Sequence, residues 1–257
     1  MSNKSSKVII LTGASRGIGL VIAHYLLSHA DKHRLVVTAR SEKPLKELEQ
    51  QYPGQVAVLT GDASDLSLGG KAVELAEDRW QRLDGVIINH GVLDPVTRVA
   101  NAKAEDWRKA FDINFFSAVA LVQVALPALR DSKGAIIFTS SGAASRGFPT
   151  WGAYGAAKAA MNHLAMTLGS EEKEITSIAI RPGVVDTEMQ REVREKHNGV
   201  MDEEHVKHFA SLKSDGHLLK AELPGHVMAK LVLDPPRDLN GHFLDWNAGE
   251  LKAYQEM

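Results

Sequence analysis

Short runs of apolar, mostly β-branched residues recur along this chain of 257 residues, and longer segments with helical spacing lie between them. Unbroken apolar runs of this kind are typical of strands that are buried on both faces. The regular alternation of strand and helix favours a parallel sheet with helices on both sides. The predicted strands are residues 8–12, 35–38, 56–60, 85–88, 135–139, 175–180 and 242–245, and the predicted helices are residues 17–30, 44–51, 66–82, 105–129 and 154–173.

The expected fold class is α/β, with a doubly wound, Rossmann-type parallel sheet of about seven strands in a single domain. Right-handed crossovers between the strands place helices on both faces of this sheet. We expect residues 1–6 to form a disordered tail and residues 7–257 to form the domain.

Composition and charge exclude several classes of protein. The net charge of -2 argues against a nucleic-acid partner, because phosphate binding needs a basic surface. The chain has no cysteine, which excludes disulfides and a thiolate nucleophile. Its 11 histidines form no zinc-binding signature, so we expect no metal. The apolar run at residues 8–11 is too short for a signal sequence or a membrane span, so we expect a cytoplasmic protein without a membrane partner.

A glycine-rich segment follows the first predicted strand and opens the first predicted helix. Its glycines permit a tight turn, close approach of a pyrophosphate and close packing of the helix. The helix N-terminus behind such a loop offers N–H groups and the positive end of its dipole to phosphate. The glycines could also belong to an ordinary turn, but their place between strand and helix predicts a dinucleotide site. The residues expected to line it are Gly13, Ser15, Arg16, Gly17, Ile18 and Gly19.

Further motifs follow in a fixed order. Tyr154 and Lys158 have the spacing that places two side chains on one helix face, and Ser141 ends a predicted strand shortly before them. Asn114 lies in a long predicted helix, and the segment 181–187, which reads RPGVVDT, follows the sixth predicted strand. Together with the Gly-x-x-x-Gly-x-Gly loop, these motifs resemble the short-chain dehydrogenase/reductase family over nearly the whole chain.

The resemblance implies a reductase with four catalytic residues. Tyr154 is expected to act as the general acid, and Lys158 is expected to bind the cofactor ribose and to lower the pKa of that phenol. Ser141 is expected to polarise the substrate carbonyl, with Ser140 as the less favoured choice. Asn114 is expected to be buried and to hold a water that connects Lys158 to solvent, although an isolated asparagine in a helix is often a surface residue.

NADP(H) rather than NAD(H) is the predicted cofactor. The second predicted strand ends at Arg40, where NAD-binding proteins usually place a carboxylate, and Arg16 lies in the glycine loop. Two guanidinium groups suit the 2′-phosphate of NADP(H), although each could be a solvated surface charge. The resemblance adds Asp62, Asn89 and Gly91 on the adenosine side, Pro182, Gly183, Val185 and Thr187 on the nicotinamide side, and contacts from Tyr154 and Lys158.

Two residues depart from the family's Asn-Asn-Ala-Gly pattern after the fourth predicted strand. Ile88 and His90 replace the first asparagine and the alanine of that pattern, whereas Asn89 and Gly91 keep their places. We expect His90 to pack within its loop, with contact to the cofactor as the alternative.

A narrower resemblance is to carbonyl reductases of the benzil reductase and sepiapterin reductase branch. It implies reduction of a ketone or 1,2-diketone to a secondary alcohol. Phe148, Trp151 and Met189 are expected to form an apolar substrate wall, although the two aromatic rings could merely pack their loop. Residues 188–220 are rich in Glu, Lys and His, and we interpret them as a lid over the substrate.

The resemblance also implies a homodimer or homotetramer that forms through the predicted helices at residues 105–129 and 154–173. The alternative function is a non-catalytic NADP(H)-binding regulatory module, because a fold alone does not establish catalysis. The complete set of four catalytic residues favours the enzyme. A serine hydrolase is not expected, because residues 140–142 do not form a Gly-x-Ser-x-Gly elbow.

Overall fold

The computed structural model describes residues 6–255, so all but the last residue of the predicted disordered tail lies outside the described part of the chain. The strands are β1 (Val8–Thr12), β2 (Arg34–Ala39), β3 (Val56–Thr60), β4 (Gly85–Ile88), β5 (Ala135–Thr139), β6 (Thr176–Arg181) and β7 (Phe243–Asp245). They form one parallel sheet in the order β3-β2-β1-β4-β5-β6-β7. This architecture confirms the predicted α/β fold with a doubly wound sheet.

Helices cover both faces of the sheet. Within residues 6–255 they are α1 (Gly17–Ser28), α2 (Glu42–Gln51), α3 (Leu68–Trp80), α4 (Ala104–Phe111), α5 (Ser117–Ser132), α6 (Gly152–Glu171), α7 (Glu188–Glu195), α8 (Glu203–Ser214), α9 (Glu222–Leu233) and α10 (Lys252–Gln255).

Strand β1 shows how two cores form on one sheet. Successive side chains of a strand point to opposite faces. Ile9 and Leu11 pack in a core with α1 and α9, whereas Val8 and Ile10 pack in a second core with α3, α5 and α6. None of these four side chains is more than 2% exposed. Burial on both faces explains why the strand sequence contains no polar alternation.

The long predicted helix at residues 105–129 is interrupted. Helix α4 ends at Phe111, a π turn spans Asp112–Phe116, and α5 begins at Ser117. The Ser117 N–H donates to the Asp112 carbonyl, five residues back, which inserts an extra residue into the helix. The π turn carries Asn114, whose side chain is fully buried, so the expected burial of this residue is observed.

The helical run Ala104–Ser132 is long and apolar enough to cross a membrane, judged by length and composition alone. In this structure one face of the run is buried, since Leu121, Val122 and Leu129 pack against α3 and the sheet. Its outer face leaves Phe116 and Val124 exposed.

Residues 188–220, called the lid segment below, contain α7 and α8. Its last residues are tied to the loop after β6 by a short parallel bridge between Val185 and Leu219. Phe209 of α8 is buried in a small apolar cluster that also contains Tyr154 and Leu93. The lid segment therefore packs near the carboxyl ends of the central strands, where open α/β sheets bind ligands.

His33, immediately before β2, gives a prediction for stability. Its side chain is 2% exposed, and burial, reinforced by the nearby His29, lowers its pKa to about 4. In the unfolded chain a histidine has a pKa near 6.5, so between about pH 6.5 and 4 the unfolded state binds the extra proton. The free energy of unfolding should therefore fall by about 2 kcal/mol between pH 7.5 and pH 5 through this residue.

Urea denaturation of the wild type and of His33→Asn at both pH values measures this effect. Asparagine keeps an acceptor for the Lys7 N–H that His33 Nδ1 accepts at 3.1 Å, but it does not titrate. The variant should show a shallower pH dependence than the wild type, and equal slopes would remove His33 from this role.

Candidate active site

A cavity of about 840 Å³ opens at the carboxyl ends of β1, β4 and β5, and it collects most of the predicted site residues. Gly19 and Asn114 lie behind its wall, where they contact Gly13 and Val92. The predicted residues that line the cavity are Gly13, Ser15, Arg16, Gly17, Ile18, Arg40, Asp62, Asn89, Gly91, Ser141, Phe148, Trp151, Tyr154, Lys158, Pro182, Gly183, Val185, Thr187 and Met189.

The glycine loop is shaped so that side chains would not fit. Gly13 has a φ of +67°, and a Cβ there would lie 2.9 Å from the His90 Cα. A Cβ on Gly19 would lie 2.2 Å from the Gly13 carbonyl oxygen. Helix α1 begins at Gly17, and no side chain caps its N-terminus. Unpaired N–H groups at a helix start suit a phosphate, so the loop fits the pyrophosphate of a dinucleotide.

Asn89 braces this loop despite the departures at its neighbours. Its amide nitrogen donates to the carbonyls of Thr12 at 3.3 Å and Gly13 at 3.2 Å. Its carbonyl oxygen accepts from the Thr139 hydroxyl at 3.2 Å. One side chain therefore joins the ends of β1, β4 and β5.

Tyr154 and Lys158 lie one turn apart in the first half of α6, and both are buried. The Lys158 ammonium donates to the Thr139 carbonyl at 2.8 Å and lies 5.8 Å from the centre of the Tyr154 ring. The side chain of Ser141 hydrogen-bonds Tyr154. The Ser140 hydroxyl instead donates to Asn162 at 2.6 Å, pointing away from the tyrosine. The geometry therefore groups Ser141, rather than Ser140, with Tyr154 and Lys158.

Burial governs the protonation of this group. It raises the pKa of Tyr154, and the hydrogen bond with Ser141 only partly opposes the rise. Burial also lowers the pKa of Lys158 to about 7. The expected lowering of the Tyr154 pKa by Lys158, which the family resemblance implies for the site with its nicotinamide cofactor, stays a prediction. A phenol that keeps its proton at neutral pH can serve as an acid.

Asn114 anchors the loop after β4. Its Oδ1 accepts from the Val92 N–H at 2.8 Å, and its Nδ2 donates to the Val92 carbonyl at 2.9 Å. Both polar atoms of the amide thus hold the backbone of one residue. The expected role of Asn114 in holding a relay water stays a prediction.

The two arginines expected at the 2′-phosphate differ in their surroundings. Arg40 is exposed at the end of β2, and its charge contributes to the lowered pKa of Asp62, after the larger effect of two hydrogen bonds from Ser64. Arg16 is also exposed, but its guanidinium lies 3.5 Å from Glu192 of α7. The lid segment therefore supplies a counter-ion to one of the two predicted phosphate ligands, which the sequence analysis did not predict.

An aromatic stack forms one wall of the cavity. The Trp151 ring stacks with Phe148 at 5.1 Å and with Phe209 at 5.4 Å between ring centres. Its edge meets the Tyr154 ring at 6.2 Å. The structure thus brings Phe148 and Trp151 together and adds Phe209 from α8, a residue that the sequence did not predict, whereas Met189 lines the same cavity outside the stack.

His29, Asp31 and His33 bring three potential metal ligands within 4.8 Å of one another near the amino end of β2. The Lys7 N–H donates to His33 Nδ1, so the neutral ring carries its proton on Nε2. Neither nitrogen then offers a lone pair to a cation. We therefore assign no metal-binding role to this cluster.

The close packing behind the glycine loop generates a second prediction. Gly19→Ala places a methyl group against the Gly13 carbonyl and 2.5 Å from Asn89 Nδ2, so the loop has to shift. Overpacking of this kind costs about 1–3 kcal/mol, and if the loop regains its shape only when the dinucleotide binds, affinity should fall by about fivefold to a hundredfold. The matched control is Gly70→Ala in α3, where nothing lies within 4 Å of the added methyl. Fluorescence titration with NADPH measures the affinity of the two variants. Equal affinities of Gly19→Ala and Gly70→Ala would show that the loop tolerates the methyl group.

Comparison with known proteins agrees with this geometry. The family model for short chain dehydrogenase matches residues 7–198. The chain is 43% identical over 244 residues to an uncharacterized oxidoreductase of Saccharomyces cerevisiae, YIR035C, covering 94% of this chain and 96% of that protein. It is 38% identical over 260 residues to a benzil reductase ((S)-benzoin forming) of the same yeast, IRC24, covering 97% and 99%. The crystal structure of YIR035C superposes with a TM-score of 0.95 at 41% identity, covering 98% of this chain and 100% of that one. The chain therefore belongs to the short-chain dehydrogenase family and is an oxidoreductase.

Proposed function

We propose that this protein is an NADPH-dependent reductase of ketones or 1,2-diketones, with Tyr154 as the general acid. One observation carries the proposal: the buried phenol of Tyr154 is hydrogen-bonded to Ser141 and lies one helical turn from Lys158 at the wall of the cavity. A buried phenol with these two neighbours can protonate a carbonyl oxygen as that oxygen gains negative charge.

The proposed mechanism assigns a separate task to each residue. When bound, the reduced nicotinamide supplies hydride to the carbonyl carbon. Tyr154 gives its phenolic proton to the carbonyl oxygen, so the product is a neutral secondary alcohol. Ser141 donates a hydrogen bond to the same oxygen and orients it. Lys158 holds the cofactor ribose, and a solvent proton that returns through the π turn restores Tyr154.

The aromatic stack supports an apolar substrate. Flat apolar walls with few polar anchors favour aryl or alkyl ketones. Arg146 is a cation beside this wall, and its guanidinium lies over the Phe148 ring, 4.4 Å from the ring centre. The similarity to a benzil reductase points in the same direction. We therefore propose substrates with an aromatic or apolar flank, and we expect vicinal diketones to react faster than simple ketones because the second carbonyl raises electrophilicity.

The proposed cofactor preference rests on charge at the rim of the cavity. Arg16 and Arg40 both line it, whereas the end of β2 offers no carboxylate to a ribose hydroxyl. Guanidinium groups bind phosphate with charge-assisted hydrogen bonds.

The proposal extends to assembly and location. Val124 on α5, Met166 on α6 and Phe116 in the π turn before α5 are exposed apolar residues, and we propose α5 and α6 as the interface of a homodimer or homotetramer. We propose a cytoplasmic location, a small-molecule substrate, and neither a nucleic-acid nor a membrane partner. A yeast protein of similar structure, 40% identical over 98% of this chain, is described as cytoplasmic.

Turnover of a substrate panel tests the proposed reaction. We expect the wild type to oxidise NADPH fastest with benzil or 1-phenyl-1,2-propanedione, more slowly with acetophenone, and slowest with a keto acid.

Tyr154→Phe keeps the ring but removes the proton, so kcat should fall by about 10²–10⁴-fold with NADPH affinity nearly unchanged. The control is Tyr52→Phe, which removes a hydroxyl that lies 3.2 Å from His24 Nδ1 between α1 and the end of α2. This variant should keep normal turnover. A wild type that binds NADPH but reduces no carbonyl would instead support a regulatory module.

Cofactor choice has its own test. Arg40→Asp should lower kcat/KM with NADPH about tenfold to a hundredfold more than with NADH, because one charge-assisted bond contributes about 1.5–3 kcal/mol. Arg34→Asp is the matched control, since it makes the same change at the opposite end of β2. A wild type that uses both cofactors equally would contradict the assignment of Arg40.

A further inference from the structure

We infer that His90 is a positioning residue of this site, which locks the π turn Asp112–Phe116 to the end of β1 and thereby holds the loop beside Lys158 in place. The residue stands where the family pattern has alanine, and its imidazole makes hydrogen bonds that alanine cannot make. The consequence for catalysis rests on the proposed function, whereas the structural lock does not.

The hydrogen bonds of His90 fix its tautomer. Nε2 lies 3.0 Å from the Ile113 carbonyl, which can only accept, so Nε2 carries the proton. The same nitrogen lies 2.8 Å from the Ser117 hydroxyl, which already donates to Ile113 at 2.6 Å. Nδ1 therefore presents a lone pair, and the Thr12 hydroxyl directs its one proton to this nitrogen at 2.7 Å rather than to the Ile87 carbonyl, which lies farther away at 3.3 Å. The neutral ring thus links the last residue of β1 to the π turn.

A second link joins the same two parts of the structure. The side chain of Asn114, in the middle of the π turn, holds both the N–H and the carbonyl of Val92. His90 and Val92 are therefore attached to the π turn independently, on either side of Gly91. The backbone between them has little freedom to move.

Gly91 is the part of this loop that faces Lys158. A Cβ on Gly91 would lie 3.5 Å from Lys158 Nζ and 3.0 Å from Asn114 Oδ1, so the loop packs directly on the lysine. Displacement of the loop would admit water beside an ammonium whose pKa burial lowers to about 7. The lock therefore controls the burial that sets the charge of Lys158.

Burial, assisted by the charge of Lys158, keeps His90 in its neutral form. Burial and the charge of Lys158 lower its pKa to about 4, against smaller opposing effects from the Ile113 carbonyl and Asp62. Protonation would abolish the bond from Thr12 and place a second cation near Lys158. The lock is therefore intact throughout the neutral pH range.

Three variants dissect the lock. His90→Ala removes both links of the ring, His90→Gln retains a donor that can reach Ile113, and Ser117→Ala removes one partner. His24→Ala is the matched control, because His24 is a half-buried histidine with one hydroxyl neighbour outside the cavity. Hydrogen exchange of residues 111–118 is the readout that needs no turnover. We expect exchange about tenfold faster in His90→Ala, a smaller increase in Ser117→Ala, recovery in His90→Gln and no change in His24→Ala.

The kinetic readout tests whether the lock positions the catalytic group. In His90→Ala, kcat should fall about tenfold with the KM for NADPH unchanged, and the pH dependence of kcat should shift to higher pH as Lys158 becomes hydrated. His90→Gln should restore most of the lost kcat and most of the original pH dependence. A purely structural role would lower thermal stability but leave the pH profile in place, and that result would overturn the inference.

The two proposals fail in distinguishable ways. Absence of carbonyl reduction by the wild type would refute the proposed function, and the exchange experiment would still decide whether the lock exists. Unchanged exchange in His90→Ala would refute the lock even in a fully active enzyme.

Discussion

Both the fold and the candidate site depend on the hydrogen bonds that the side-chain amide of Asn89 makes. It occupies the point where β1, β4 and β5 end and the sheet opens towards the cavity. Backbone carbonyls at strand ends need partners when they are buried, and this amide supplies two of them. On one side the amide fixes the glycine loop. On the other side it orients Thr139, whose carbonyl accepts a hydrogen bond from Lys158 Nζ. Displacement of this one amide would therefore disturb the phosphate side and the proton-transfer side together.

Burial divides the cavity into a neutral floor and a charged rim. The floor holds Tyr154, Lys158 and His90, and burial shifts the pKa of each towards its neutral form. The rim carries Arg16 and Arg40, which remain exposed. An elongated cofactor with an anionic end and a neutral reactive ring matches this division. The arrangement supports the proposed function in two ways. On the buried floor the proton donor keeps its proton. At the rim the two arginines are exposed to water, so an anion can reach them.

The parts of the structure that sequence reasoning found are those that local pattern determines. Strands buried on both faces lack polar alternation, and the glycine loop and the spacing of Tyr154 and Lys158 are short-range features. The missed features depend on contacts between distant segments. Phe209 meets Trp151 only because α8 folds back over the cavity. The π turn at Asn114 follows from the bonds to Val92, and a helical hydrophobic pattern continues through it unchanged.

Other missed features have the same origin. Helix α9 is not among the helices predicted from the sequence, although it packs against α1; its first turn contains Pro224 and Gly225, and glycine has a low helix propensity. The role of His90 was not predictable either, because the departure from alanine is visible in the sequence but the partners Thr12 and Ser117 are not.

The lid segment is held by two kinds of contact, and their strengths differ. The ion pairs Lys196–Asp94, Lys213–Asp186 and Arg16–Glu192 are exposed to solvent, so each contributes little to stability and weakens with salt. Phe209 is only 4% exposed, and burial of a phenylalanine side chain contributes about 1.5–3 kcal/mol. Its stacking on Trp151 adds about 0.5–1.5 kcal/mol. Packing therefore holds the lid segment more strongly than charge does. Because Trp151 also packs perpendicular to the Tyr154 ring, movement of α8 away from the cavity would expose the phenol and reduce the burial that raises its pKa. The position of the lid segment and the acidity of the proposed proton donor are linked through one indole ring.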